Sequence, residues 1–134
     1  MKYLLDSNVC VDYLTGRFPP VVRRIQESLP QDLCLSSIVI AELRYGADKS
    51  QKPRLNHERL DLLLGEIPSR DFDSMAASSY GKVRASLEKK GEPIGPNDML
   101  IAAQALSLGL VLVSDNSREF KRVAGLKVEN WRET

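Results

Sequence analysis

The residues best suited to chemistry are acids placed where apolar runs stop. In "LLDSNVCVDYL" the run Tyr3-Leu4-Leu5 ends in Asp6, and Ser7 and Asn8 follow before apolar residues return. Asp and Asn are depleted within strands, and Ser, Asn and Asp favour helix starts. Asp6 therefore reads as the end of a first strand, where the chain turns into a helix. Asp115 holds the same position after "LVLVS", with Asn116 beside it and Glu119 one helical turn further on. Asp98 opens a helical pattern behind the "IGPN" turn, and Glu42 lies midway along the pattern "IVIAELRYGA". Ile38, Val39, Ile40, Ala41, Leu43 and Tyr45 leave Glu42 few polar surroundings. An acid so placed is expected to be partly buried and to need a partner.

Each acid also has a plain structural role. An Asp after a strand caps orphan N–H groups, an Asp in a first turn complements the helix dipole, and Glu119 suits a solvated helix face. What those roles leave unexplained is several acids converging on one end of one sheet. Two carboxylates ~4 Å apart repel by about 4 kcal/mol at an effective dielectric near 20. Such a cluster either keeps protons at raised pKa or holds cations. Oxygen donors without His or Cys select Mg²⁺ or Mn²⁺, and such an ion supports attack of water on a phosphoryl group. The one histidine, His57 in "RLNHERL", is remote in sequence from these acids and reads as a surface helix residue.

The elements that must position the acids follow from periodicity. Strands are expected at Tyr3–Leu5, Leu33–Leu35, near Ile67, at Leu110–Val113 and at Lys127–Glu129. Helices are expected over Val9–Leu14, from Pro19-Pro20 to Ser28, after Ser36-Ser37, over Leu55–Leu64 closing at Gly65, from the cap Asp73 to Gly91, and from Pro96 to Gly109. Strands alternating with helices imply an α/β fold, with a central parallel sheet covered on both faces. No repeat or linker interrupts residues 1–134, so a single domain is expected.

Composition is that of an ordinary soluble globule, with 43% hydrophobic and 28% charged residues. No apolar run approaches the ~20 residues of a membrane span. The opening "MKYLLDSN" has no apolar stretch of signal-peptide length, so a cytoplasmic location is expected. Cys10 and Cys34 lie in apolar contexts and read as buried reduced thiols. The net charge of +1 gains meaning if Asp6, Glu42, Asp98, Asp115 and Glu119 share one site. The other 13 of the 18 acids then face 19 bases, an acidic pit in a basic field suited to a polyanion held through cations.

The blocks "LLDSNVCVDYL", "SSIVIAELRYGA", "GEPIGPNDMLIAAQAL" and "LVLVSDNSREFKRVAGLKVENW", in this order and spacing, resemble the PIN-domain ribonucleases of the VapC toxin type. The resemblance runs from residue 1 to about 131. It implies a compact α/β/α PIN fold and a Mg²⁺- or Mn²⁺-dependent endoribonuclease. Such enzymes are toxins of type II toxin–antitoxin pairs that cut structured RNA, often tRNA, to stop translation. Carried over by motif, Asp6, Glu42 and Asp98 are the catalytic and metal-holding acids. The fourth position falls to Asp115 or Asn116, with Glu119 a further carboxylate. Ser7 and Asn8 would orient Asp6, unless Ser7 is a plain helix cap, and Arg118 is the base best placed to touch substrate. The resemblance also implies an antitoxin whose C-terminal segment blocks the acidic site, a homodimer, a toxin–antitoxin hetero-oligomer, and operator DNA reached only through the antitoxin. The leucine-rich stretch "NHERLDLLL" would be core, antitoxin groove or dimer face.

Other readings are weaker. A phosphoaspartate phosphatase needs a second Asp two residues after the first, where this chain has Asn8. A receiver-like domain wants a lysine after the last core strand, where the chain reads "SDN". A PIN domain that binds RNA without cutting it would have little use for intact Asp6, Glu42 and Asp98.

Overall fold

The computed structural model describes residues 1–133. Five parallel strands stand in the order β3-β2-β1-β4-β5: β1 Tyr3–Leu5, β2 Leu33–Ser36, β3 Ser69–Arg70, β4 Val111–Val113 and β5 Val128–Glu129. Among the described residues, seven α-helices connect or follow them: α1 Ser7–Thr15, α2 Pro19–Glu27, α3 Ser37–Asp48, α4 Pro53–Glu66, α5 Ser74–Lys90, α6 Pro96–Leu108 and α7 Ser117–Phe120. A 3-10 turn at Pro30–Asp32 leads into β2.

The central strands are short but apolar throughout. Leu4, Leu5, Leu33, Cys34, Leu35, Leu112 and Val113 are buried, as expected of parallel strands covered on both faces. Each fully buried leucine contributes roughly 2 kcal/mol of hydrophobic stabilisation. Helix α6 supplies much of the cover, with Ile101, Ala102, Ala103 and Ala105 wholly buried; its small alanines allow close approach. Gln104, on the same helix, donates Nε2 to the carbonyls of Arg70 and Asp71 at 3.1 Å each, which ties α6 to the turn after β3. Cys10 and Cys34 are free thiols in this core.

Helix ends follow local chemistry. Pro19, Pro53 and Pro96 open α2, α4 and α6, where a missing N–H costs nothing. Asp73 caps α5 by accepting from the Ala76 N–H at 2.9 Å. Gly91 then ends α5 in the left-handed conformation after Lys89 and Lys90, cations that favour the negative end of the helix dipole.

The structure sets the bounds of two expected elements. The third strand, expected near Ile67, lies two residues further on at Ser69–Arg70, two exposed polar residues. Ile67 is buried because it closes α4, its N–H donating to the Leu63 carbonyl at 2.9 Å. Gly65 does not stop α4, which continues to Glu66. Within "NHERLDLLL", Leu60 and Leu63 are core while Leu62 is 72% exposed. Among the described residues, no helix is long and apolar enough to cross a membrane.

Candidate active site

The chain leaves β1 and β4 in opposite directions along the sheet, towards β2 and β3 on one side and towards β5 on the other. In open α/β sheets the ligand crevice lies at such a switch point, beyond the carboxyl ends of the strands. Asp6 follows β1 directly, and Ser114, Asp115 and Asn116 follow β4. Glu42 reaches the same place from α3 and Asp98 from the first turn of α6. Asp6, Ser7, Asn8, Glu42, Asp98, Asp115 and Asn116 line one cleft of about 250 Å³.

Asp6 is both cap and site. It is the N-cap of α1, where Oδ1 accepts from the Ser7 N–H at 2.7 Å, and Oδ2 accepts from the Ser114 hydroxyl at 2.8 Å. Ser114 is wholly buried and itself accepts from the Asn116 N–H at 3.0 Å, so the β4–α7 turn fixes the Asp6 carboxylate. Burial pushes the Asp6 pKa up, the Ser114 and Ser7 bonds oppose it, and the charges of Glu42 and Asp115 add to the rise.

Glu42 accepts from the Ser7 hydroxyl at 2.6 Å on Oε1 and from the Asn97 amide at 3.4 Å on Oε2. Asp98 is the least satisfied acid, receiving one long bond, 3.5 Å, from the Asn116 amide. Burial, reinforced by the charges of Asp6, Glu42 and Glu119, pushes its carboxyl up to about 6. Asn116 also donates to Glu119 Oε2 at 3.0 Å, so Glu119 joins the rim of the cluster and is not simply solvated. Arg118 is exposed beside it.

Asp115 differs from the other acids. Its Oδ2 accepts from Arg132 Nη1 at 3.1 Å and its Oδ1 from the Asn8 amide at 3.1 Å. The side chains of Ser7 and Asn8 thus serve Glu42 and Asp115, and only the Ser7 backbone serves Asp6. Neighbours on a helix point about 100° apart, which turns both away from the preceding acid. His57 lies apart, between Asp48 at 2.7 Å and Arg44 at 3.0 Å, and is half-buried between α3 and α4.

Sequence reasoning missed Ser114, Asn97, Asp12 and Arg132. Ser114 carried a signal, a small polar residue at the end of an apolar strand. Arg132 and Asp12, 120 residues apart, carried none.

The cluster offers only oxygen donors, and its negative charge is partly held back by raised pKa values at Asp6 and Asp98. That chemistry suits a hard divalent cation. Among the described residues, no three His, Cys, Asp or Glu side chains already close on one point as a cage. Mg²⁺ does not require one, because it keeps several waters and takes one or two carboxylates with substrate phosphate.

Comparison with known proteins identifies the fold that carries this cleft. The PIN domain family model matches residues 3–126. The chain is 40% identical over 131 residues to the tRNA(fMet)-specific endonuclease VapC of Shigella flexneri, covering 98% of each protein. It is equally similar, 40% over 98% of each, to ribonuclease VapC2 of Haemophilus influenzae. The crystal structure of VapBC2 from Rickettsia felis bound to a promoter DNA fragment matches with a TM-score of 0.90 and 38% identity, over 98% of this chain and 99% of that one. DNA-bound VapBC from Salmonella typhimurium matches with a TM-score of 0.92 and 37% identity, over 98% of each chain. The acids after β1 and β4, the α3 glutamate and the α6 aspartate thus sit on a known frame, and the chain belongs to the PIN-domain family of VapC ribonucleases.

Proposed function

We propose that this chain is a Mg²⁺- or Mn²⁺-dependent endoribonuclease toxin of a type II toxin–antitoxin pair, which cuts tRNA and so arrests translation. The observation that carries the reading is the convergence of Asp6, Glu42 and Asp98 in one oxygen-lined cleft at the sheet switch point. The tRNA assignment draws support from a full-length relative named as a tRNA(fMet)-specific endonuclease.

Asp6, Glu42 and Asp98 are the residues that would hold the ion, with Asn116 a neutral oxygen at the edge. Bound there, the ion would screen phosphoryl charge and acidify water at the cluster. The protein's own work is positioning. Ser114 and the Ser7 N–H lock both Asp6 oxygens, while Ser7 and Asn97 aim Glu42. Asp98, whose carboxyl is raised to about 6 by burial and by its acidic neighbours, is a carboxylate destabilised by like charge, and a bound cation would relieve that repulsion. In the reaction, water forms a new bond to phosphorus in line and gives up a proton to solvent, the bond from phosphorus to the sugar 3′ oxygen breaks, and that oxygen takes up a proton, leaving a 5′ phosphate on one product and a 3′ hydroxyl on the other. His57 is tied to Arg44 and Asp48, so it is not placed to activate the RNA's own 2′-hydroxyl.

The antitoxin partner follows from the family, and an apolar groove beside the cleft suits it. Val11, Leu14, Leu43, Ala47 and Leu60 line about 370 Å³ between α1, α3 and α4, and the groove shares Ser7, Asn8 and Glu42 with the acidic cleft. A C-terminal antitoxin segment lying there would end among the carboxylates, where an arginine would pair with them. Homodimerisation, and operator DNA contacted through the antitoxin, belong to the same proposal.

The test is to incubate the purified protein with total bacterial RNA in Mg²⁺, in Mn²⁺ and in EDTA, and to sequence the new ends. Metal-dependent cuts in tRNA with 5′-phosphate ends are expected. Cutting in EDTA, or 2′,3′-cyclic phosphate ends, would overturn the mechanism, and cuts confined to other RNAs would overturn the substrate.

A further inference from the structure

We infer that Arg132 is a positioning residue for the acidic cleft, clamping Asp115 and the β4–α7 turn against α1; its effect on cleavage rests on the nuclease function proposed above. Asp12, on α1, is 2% exposed, and among the described residues its carboxylate has one partner, Arg132. The pair is bidentate: Nε to Oδ2 at 2.6 Å and Nη2 to Oδ1 at 3.0 Å. The remaining guanidinium nitrogen, Nη1, reaches Asp115 at 3.1 Å. Asp115 in turn accepts from Asn8 at 3.1 Å.

Asn8 and Asp12 are four residues apart on α1 and so share one face. That face therefore grips the turn after β4 at two points, directly through Asn8 and through Asp12 by way of Arg132. The two walls so joined are those that shape the cleft, because α1 begins at the Asp6 cap while the turn carries Ser114 and Asn116. Arg132 is itself held rigidly. Its guanidinium lies 4.1 Å from the Phe18 ring centroid. The preceding Trp131 is buried, stacks edge-on against Tyr3 at 5.0 Å and donates to Glu129 at 3.0 Å. A fixed planar fork that joins two carboxylates sets distance and angle as a lysine could not. Asp115 thus holds the cleft in shape from its edge and leaves the ion to Asp6, Glu42 and Asp98.

Arg132→Ala strands a buried Asp12, and such a variant can fail to fold. The double variant Asp12→Asn with Arg132→Gln leaves no charge unpaired at Asp12 and still frees Asp115. Arg24→Ala is the control for simple anchoring of the tail, since Arg24 lies over Trp131 at 4.5 Å and pairs with Glu129 without touching the cleft. Each protein is assayed for kcat and KM on RNA and for the side-chain amide resonance of Asn8, identified by its loss in Asn8→Ser. In the folded double variant kcat is expected to fall about tenfold to a hundredfold, with KM changed less than about twofold and the Asn8 amide shifted. Arg24→Ala is expected to leave all three unchanged. Wild-type kcat in the folded double variant, or an unmoved Asn8 amide, would overturn the clamp, as would Arg24→Ala reproducing the double variant's losses. Should the wild-type protein not cut RNA, the function fails separately, and the Asn8 resonance alone still decides the clamp.

Discussion

The hydroxyl of Ser7 donates to Oε1 of Glu42 at 2.6 Å, joining the first residue of α1 to the middle of α3 across 35 residues of sequence. Hydrogen bonds to ionised carboxylates are short and about twice as strong as neutral ones. Without it Glu42 keeps only the longer Asn97 contact, 3.4 Å. Ser7→Ala is therefore expected to lower kcat for RNA cleavage by about tenfold while costing roughly 1–2 kcal/mol of stability. Kinetics with a denaturant melt check both, and an unchanged kcat would remove Glu42 orientation from the account.

Asp6 needs a gentler substitution than alanine. Its carboxylate caps α1 and satisfies the buried Ser114 hydroxyl, so Asp6→Ala is expected to abolish cleavage and also to cost roughly 1–3 kcal/mol. Asp6→Asn keeps an acceptor for the Ser7 N–H and removes the charge. It is expected to be inactive with near-native stability, measured by RNA cleavage and thermal unfolding side by side.

Asp98 carries a pH signature. Its folded pKa of about 6 lies above its ordinary value of 3.8, so the folded state holds the proton more tightly than the unfolded chain. Stability of the metal-free protein then falls as pH rises from about 4 through about 6, and the whole penalty is present above that. Asp98→Asn removes it. After discounting for solvent screening the gain is of order 1 kcal/mol, roughly 2–5 °C in Tm at pH 7.5, and absent near pH 4. Thermal unfolding in EDTA at the two pH values checks this, and an equal or lower Tm for the variant at pH 7.5 contradicts it.

Trp131 is the single tryptophan and is 2% exposed. Its truncation to alanine opens a large cavity beneath Tyr3, with an expected loss of about 3–5 kcal/mol. The indole itself reports tail docking, so its emission in the wild-type protein is expected to red-shift in the same transition that far-UV circular dichroism follows. Two separate transitions would show that the tail docks independently of the core.

Much of this was legible in the sequence because it was local. Apolar runs cut short by Asp6 and Asp115, the Pro96 start before Asp98, and an acid among the apolar neighbours of Glu42 are all short-range signals. Strand β3 was legible only as a strand near Ile67, because Ser69 and Arg70 have no apolar pattern and Ile67 itself closes α4. The side chains of Ser7 and Asn8 were assigned to Asp6 by proximity in sequence, but the helix turns them towards Glu42 and Asp115. The pairing of Asp12 with Arg132 had no local trace, since it exists only once the residues after β5 fold back over α1.

The most direct measurement is Mn²⁺ binding followed by electron paramagnetic resonance in the wild-type protein, Asp6→Asn and Asp98→Asn at pH 7.5. Saturable Mn²⁺ binding by the wild-type protein is expected, weakened by at least about tenfold in each variant. No binding by the wild-type protein at millimolar Mn²⁺, or unchanged affinity in both variants, would contradict a shared cation site among these acids.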